Sequence, residues 1–408
     1  MNCRFCSTPI DLTLIDLGSS PASNSYLTKT SAAQPERWMP LKVVVCQKCW
    51  LAQTEGHFAA EEFFSADYAY FSSFSTAWLK HAETYATTMI KRFGLSPKSR
   101  VVEVASNDGY LLQNFKAAGI PCLGIEPTAS TAQAARAKGI ETLEVFFGKE
   151  TARKLVASGW AADLTAANNV LAHVPDIADF VGGFATLLQP TGVATFEFPH
   201  LVNLIKSNQF DTIYHEHYSY LSLTAAQHIF AKEGLQIFDV EELPTHGGSL
   251  RVFAQRQATG TQTVTPAVAQ ILAAEKTAGV TDVAFYRGLQ SRATVIKNEL
   301  LEFLLKAHHA KQSVVAYGAA AKGNTLLNFA GVRPDLITFV VDKNPAKQGK
   351  LLPGSRIPIV DEAALRQARP AFILILPWNL KSEIMSQLAY AREWGAQFVT
   401  AIPQLTIE

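Results

Sequence analysis

The stretch Val101-Val102-Glu103-Val104-Ala105-Ser106-Asn107-Asp108-Gly109-Tyr110 decides the fold. Its first half is a short, β-branched apolar run, the pattern of a strand buried on both faces. Its second half passes into Ser, Asn, Asp and Gly, the residues of a tight turn. A helical pattern opens at once, over 109–119. A strand feeding a helix through such a turn is the first unit of an open α/β sheet. Ligands bind such sheets outside the carboxyl ends of the strands.

Working outward, the alternation continues. Strands are predicted over 122–127, 141–147, 162–169 and 192–200, with helices over 129–139 and 177–189 between them. A helix over 223–235 follows, then two antiparallel strands, 236–244 and 249–256, that close the sheet edge. This order predicts a parallel sheet covered by helices on both faces. Upstream, a helical stretch ends near Lys91-Arg92. Downstream, Phe285, Leu289, Val295, Ile296, Leu300, Phe303 and Leu304 recur at near-helical spacing over 282–309. That pattern predicts a long amphipathic helix bridging to a last domain. There the alternation restarts, with strands over 313–318, 336–342 and 372–377 and a loop and helix over 319–331.

The beginning of the chain is different. Cys3 and Cys6 form one C-x2-C pair, and Cys46 and Cys49 form a second, with short strands around 12–18 and 38–49. Two such pairs bring four thiolates to one tetrahedral point, the ligand set of a structural Zn²⁺. A redox C-x-x-C usually stands alone beside a βαβ unit, and no signal-peptide pattern precedes Cys3 to favour a disulfide framework. Metal-held thiolates suit a reducing compartment, so the expected location is cytoplasmic. A closed four-cysteine site leaves no position for substrate and reads as scaffold. Cys122, in an apolar run, reads as an inert buried thiol. The expected domains are a zinc-binding module (1–66), a central domain (67–281), and a bridging helix with a C-terminal α/β domain (282–408).

Composition narrows the partners. Hydrophobic residues at 48% and charged residues at 17% are those of a globular chain with sizeable cores. A net charge of +1 provides no footprint for nucleic acid or an anionic membrane. No apolar run approaches the roughly 18–20 residues that span a bilayer. Nothing in the pattern demands an oligomer, so a monomer is permitted.

The cofactor reading starts from Glu126. It ends the second strand, 23 positions after Glu103, where an acidic side chain accepts the ribose hydroxyls of an adenosine. The first turn lacks the full G-x-G-x-x-G, and no pyrophosphate cradle is evident. A cofactor with adenine and ribose but no phosphates fits best, namely S-adenosylmethionine (SAM). Glu103, Ser106, Asn107, Asp108, Gly109 and Asn168 are expected at its methionine end and along the strand ends. Phe146 and Phe147 are expected to flank adenine.

A resemblance now rests on specific stretches. The two cysteine pairs, EVASNDGYLL, FDTIYHEHYSYLS (210–222), HGGSLR (246–251) and YGAAAKGNTLLN (317–328) occur in that order. The chain resembles the SAM-dependent C-methyltransferases of nucleotide deoxysugars over essentially its whole length. The resemblance implies a Rossmann-like class I methyltransferase core, an N-terminal zinc-binding module and a Rossmann-like C-terminal domain. The implied substrate is an NDP-4-keto-deoxysugar, in all expectation a dTDP sugar, held between the last two domains. It further implies Tyr70, His173, Tyr214, Glu216 and His217 at the reacting sugar. The chain departs from the pattern at His215, where an aspartate occurs, and at Phe71.

The residues fit that chemistry. A ketone at C4 acidifies the C3–H, so a base generates an enolate whose carbon takes the methyl group. This needs a base, a donor to the enolate oxygen and exclusion of water. His217 is the expected base, with Glu216 orienting it or holding a hydroxyl, and Tyr214, Tyr70 or His173 donating. Glu197 and His200, after the fifth strand, are weaker candidates. His246 and Arg251 are expected at the substrate, the latter on a phosphate. In the last domain Lys322 and Asn324 open a helix, Asp342 ends the next strand, and Trp378 and Asn379 end another. Gly318 and Gly323 are wrongly spaced for a dinucleotide fingerprint, so this half-fold is read as holding the pyrophosphate and base of the nucleotide sugar. Methylation at C5, O- or N-methylation of a similar sugar, and a non-catalytic nucleotide-binding protein are the alternatives.

Overall fold

The computed structural model describes residues 1–56 and 71–408. The N-terminal unit is an antiparallel sheet of β1 (Leu12–Ser20), β2 (Met39–Val45) and β3 (Ala52–Thr54), completed by β9 (Ser219–Tyr220) from far along the chain. Gln53 pairs with Ser219 and Ala52 with Tyr220. The expected boundary at residue 66 lies outside the described residues; β9 joins the N-terminal sheet from the central part of the chain, and the Tyr-His-Glu-His turn sits directly before it.

The central sheet contains β4 (Val101–Val104), β5 (Cys122–Ile125), β6 (Thr142–Leu143), β7 (Ala162–Asn168), β8 (Leu188–Pro199), β10 (Leu235–Leu243) and β11 (Ser249–Arg256). Their order is β10-β11-β8-β7-β4-β5-β6, with β11 antiparallel to both neighbours. All four residues of β4 are buried, as a central parallel strand requires. The chain steps outward from β4 to β5 and β6, then crosses back to β7. The carboxyl ends of β4 and β7 therefore part at a topological switch point, where an open sheet leaves its crevice.

Two elements depart from expectation. The third strand shrinks to Thr142–Leu143, leaving Phe146 and Phe147 in the following loop. The bridging helix is Leu289–His309, separated by Gly288 at φ +90° from a short turn of helix, Val283–Tyr286. Its Val295 is 54% exposed, off the apolar stripe. Leu289, Ile296, Leu300, Phe303 and Leu304 are buried, each worth about 1.5–3 kcal/mol of apolar transfer. A further helix, Pro266–Ala278, packs on β10 and has no counterpart in the sequence reading. Cys122 is only half-buried.

The C-terminal sheet runs β14 (Ile359–Val360), β13 (Val340–Val341), β12 (Val314–Tyr317), β15 (Phe372–Ile375), β16 (Gln397–Thr400), β17 (Thr406–Ile407), parallel except for β17. It too reverses, between β12 and β15. Gly318 closes that joint: at φ +88° its missing Cβ would sit 2.5 Å from Pro377.

Candidate active site

One cavity of about 1000 Å³ lies over the switch point of the central sheet and reaches the corresponding joint of the C-terminal sheet. Asn107, Glu126, Phe146, Phe147 and Asn168 line one end. Glu126 is held at the mouth by the chain itself. The Asn107 N–H donates to its Oε2 at 2.9 Å and the Thr128 N–H to its Oε1 at 3.0 Å. Ala105 and Asn107 both adopt positive φ, +57° and +50°, which turns the backbone sharply under this carboxylate. The Asn168 side chain is buried, and neither of its amide atoms finds a partner among the described residues. An unsatisfied buried amide beside a ribose-type carboxylate fits an adenosine-bearing cofactor. Phe147 packs edge-on against Phe184 with ring centroids 4.8 Å apart, while Phe146 is 40% exposed.

The remaining expected cofactor residues stand behind this wall, for local reasons. Glu103 points into the sheet interior, where burial pushes its carboxyl well above the usual range and the Tyr110 side chain opposes that shift. Ser106 packs over Gly124, filling the space a Cβ there would need. Asp108 pairs with Lys138 at 3.1 Å and with the Ser73 hydroxyl. Gly109 faces Ile140 and Ala135, allowing the helix to close on the sheet.

At the middle of the cavity His173, Tyr214 and His217 converge. The His217 ring lies 3.9 Å from that of Tyr214 and 4.6 Å from that of His173, centroid to centroid. Its Nδ1–H donates to the Thr212 carbonyl at 2.9 Å, so Nε2 carries the lone pair. His173 Nδ1 likewise meets the Glu216 carbonyl at 3.0 Å. Burial, then the neighbouring His173, holds His217 well below the usual histidine range. Burial brings His173 and His246 down to about 4. Glu216 turns away from the cavity: its Oε1 accepts from the Asn24 N–H and side-chain amide, both at 3.2 Å. Tyr70 lies outside the described residues.

The far end is built by the C-terminal domain. Lys322 and Asn379 line it, joined by a 2.7 Å hydrogen bond from Nζ to Oδ1. Trp378 stands behind them, its ring 4.7 Å from the Lys322 Nζ and its Nε1–H donating to Asp211 Oδ2 at 2.8 Å. Burial pushes the Asp211 carboxyl up to about 6, with Lys322 opposing. Asn324 and Asp342 do not reach the cavity. Asn324 donates to the Ser23 carbonyl at 2.6 Å, and Asp342 accepts from the Ala319 N–H at 2.8 Å.

His246 lines the cavity at φ +55°, with its Nε2 3.3 Å from the Asn169 amide. Arg251 does not line it. It lies in β11, where it pairs with Glu197 at 3.0 Å and Glu241 at 3.1 Å. His200 is likewise committed, to Glu275 at 2.7 Å. Arg4, Asn24, Trp78, Asn169 and Lys347 line the cavity without having been singled out from sequence. For Asn169 the signal was its neighbour Asn168 at a strand end; Arg4 and Asn24 carry none, because only tertiary packing brings the N-terminal unit here.

The four cysteines form their own site. Their sulfurs all lie within 4.8 Å of one another, with Cys3–Cys49 at 3.6 Å, Cys6–Cys46 at 3.5 Å and Cys6–Cys49 at 3.7 Å. Bonds of about 2.3 Å to a tetrahedral Zn²⁺ require sulfur separations of about 3.8 Å. The residues fit a closed structural zinc site.

A seven-stranded sheet with its reversed strand next to the edge, carrying an acidic adenosine site at the switch point, defines a class I SAM-dependent methyltransferase. Three family models match in succession: a zinc binding domain over 3–64, a methyltransferase domain over 78–240 and a C-methyltransferase C-terminal domain over 244–403. The C-methyltransferase NovU of Streptomyces niveus is 35% identical over 402 residues, covering 98% of this chain and 95% of that protein. The ubiquinone biosynthesis O-methyltransferase of Rhodopseudomonas palustris matches at 26% over 110 residues, 25% of this chain and 44% of that one. Among solved structures, magnesium protoporphyrin IX methyltransferase from Synechocystis PCC 6803 with bound SAM aligns at TM-score 0.34 and 13% identity, over 50% of this chain and 86% of that one. The chain belongs to the zinc-containing C-methyltransferase family that includes NovU. Among the described residues, no helix is long and apolar enough to cross a membrane.

Proposed function

We propose that the enzyme methylates C3 of an NDP-4-keto-deoxysugar, with a dTDP sugar as the expected form, through an enolate formed by His217. The observation that carries this reading is the placement of His217: buried in the cavity wall, with Nδ1 2.9 Å from the Thr212 carbonyl, a contact that directs the proton to Nδ1 and the lone pair to Nε2. SAM, when bound, supplies an electrophilic methyl group. Glu126, Asn107 and Asn168 are the residues that would hold it, with Phe146 and Phe147 beside adenine.

The chain does the rest. His217 Nε2 takes the proton from C3, and the Thr212 carbonyl fixes the ring while it does so. Burial penalises an isolated imidazolium, but imidazolium and enolate form together, so the pair adds no net charge to the site. Tyr214 flanks the ring and supplies the donor for the enolate oxygen, while His173, its Nδ1–H given to the Glu216 carbonyl, packs against the base. Lys322 with Asn379 meets the sugar's diphosphate. Walls from all three parts of the chain surround the site. The division at residues 66 and 281 describes these three parts. A site of metal-held thiolates belongs in a reducing compartment, here the cytoplasm.

The test is incubation with dTDP-4-keto-6-deoxyhexoses in D₂O, with and without SAM, read by mass spectrometry and NMR. Deuterium entering next to the ketone without SAM, and one new carbon-bound methyl with it, is the expected result; the labelled position separates C3 from C5. A methyl arriving on oxygen or nitrogen without prior exchange would overturn the enolate.

A further inference from the structure

The cavity wall contains a residue from inside the zinc site. Arg4 lies between Cys3 and Cys6, yet it lines the cavity. Its guanidinium Nη1 donates to the Tyr218 carbonyl at 3.0 Å, and Nη2 donates to the Gly56 carbonyl. The Arg4 N–H donates to Gln53 Oε1 at 2.9 Å. Gln53 is fully buried, and its Nε2 points to Cys3 Sγ at 3.3 Å. One side chain therefore touches a metal-ligating sulfur with its amide nitrogen and the Arg4 backbone with its oxygen.

The other end of this chain of contacts is the base. Tyr218 follows His217 directly, and its peptide is clamped from three directions. Its N–H donates to the Ala172 carbonyl at 2.7 Å, while its carbonyl accepts from the Thr54 N–H at 3.1 Å and from Arg4. Gln53 itself pairs with Ser219 through β3 and β9. The His217 ring is placed by the backbone that carries it, and two of the three clamps come from the zinc unit.

We infer that Gln53 and Arg4 are positioning residues for the reaction, coupling the tetrathiolate site to the turn that presents His217, so that the zinc sets the geometry of the base as well as the fold. Hydrogen bonds to ligating thiolates orient a metal site, and losing one typically costs about 10- to 100-fold in metal affinity or activity. This inference rests on His217 being the base, so its test includes a readout independent of turnover.

Gln53→Leu keeps the volume and removes both contacts. Arg4→Met keeps the apolar stem, removes the clamp on Tyr218 and serves where Gln53→Leu fails to fold. Three quantities are measured on the full-length zinc-loaded protein: the rate of zinc transfer to a chromophoric chelator, the ¹³Cε1 NMR signal of His217 assigned with His217→Asn, and kcat and KM for the sugar. In Gln53→Leu, zinc transfer is expected to quicken about 10- to 100-fold. In both variants the His217 signal shifts or broadens, and kcat falls about tenfold with the sugar KM within twofold. An unmoved His217 signal would overturn the coupling, whatever the zinc does. A rise in KM with unchanged kcat would also overturn it, making Arg4 a substrate contact. Should the wild type catalyse no exchange, the shift of the His217 signal still decides the coupling on its own.

Discussion

At the scale of single residues, the site depends on which way each side chain of one short turn faces. Tyr214 and His217 face the cavity, while Glu216 faces the N-terminal unit and is bonded to Asn24. The sequence grouped all three because they are adjacent and titratable; it had no means of showing the turn's orientation. The environment of His217 then fixes a pH dependence. The active form is the neutral imidazole, and burial with His173 nearby disfavours its protonation. A lowered pKa means that the base stays deprotonated as the pH falls through the ordinary histidine value of about 6.5. The acid limb of kcat for C3 deuterium exchange is therefore expected below that value, and His217→Asn is expected to lose about 10²- to 10⁴-fold in rate. A rate profile from about pH 4.5 to 9 tests this; an acid limb at or above about 6.5 would show that the base is solvated or is another group.

At the scale of elements, the joint between the central and C-terminal domains is a close approach of two turns. Gly247 has φ +90°, and a Cβ there would sit 2.5 Å from the Trp378 ring and 2.8 Å from Gln209 Nε2. Gln209 Nε2 also donates to the Gly247 carbonyl at 2.8 Å. Trp378 is fixed in turn by Asp211 and cannot yield without leaving a buried carboxylate short of a donor. Gly247→Ala is expected to cost about 1–3 kcal/mol from backbone conformation alone, with added loss from the clash, and to lower affinity for the sugar nucleotide by moving Lys322. Urea denaturation and substrate titration check it; unchanged values in both would mean that the two turns separate freely. This joint also shows what elements reveal in advance. The strand-turn-helix at 101–119 and the alternation after it were legible because the buried parallel strands are short, mostly apolar runs set between helical patterns. The glycines of 246–251 marked a tight turn but not what it packs on. Arg251 was misread as a ligand contact because its partners, Glu197 and Glu241, lie on β8 and β10, on either side of β11. The helix Pro266–Ala278 went unread because Val268 is its single fully buried apolar side chain.

At the scale of the whole molecule, the N-terminal unit serves as a wedge with two faces. Leu14, Ile15, Leu17 and Val43 share one core with Leu300, Leu304 and Val314 of the C-terminal part. Cys3, Cys46 and Cys49 share another with Val104, Leu123 and Phe196 of the central sheet. Removing the metal should therefore not be a local event. Structural zinc contributes about 10–16 kcal/mol in small zinc-finger peptides, as much as or more than the 5–15 kcal/mol by which a typical domain is stable. Four like-charged or protonated thiols left within one buried site cannot recover that energy by repacking. Chelation is expected to raise amide hydrogen exchange in β1, β2 and β3, and equally in β9 and residues 212–218, which are chained to them through Tyr218. The outer face of the C-terminal sheet, where Ile373, Ile375 and Phe398 form a separate core, should keep its protection. Exchange measured before and after chelation decides between a scaffold confined to β1, β2 and β3 and one that extends to the base. Rapid exchange confined to β1, β2 and β3, with 212–220 still protected, would mean that the cavity holds its shape without the metal. Rapid exchange in both segments at one rate would mean that the zinc site and the catalytic turn open as a single unit.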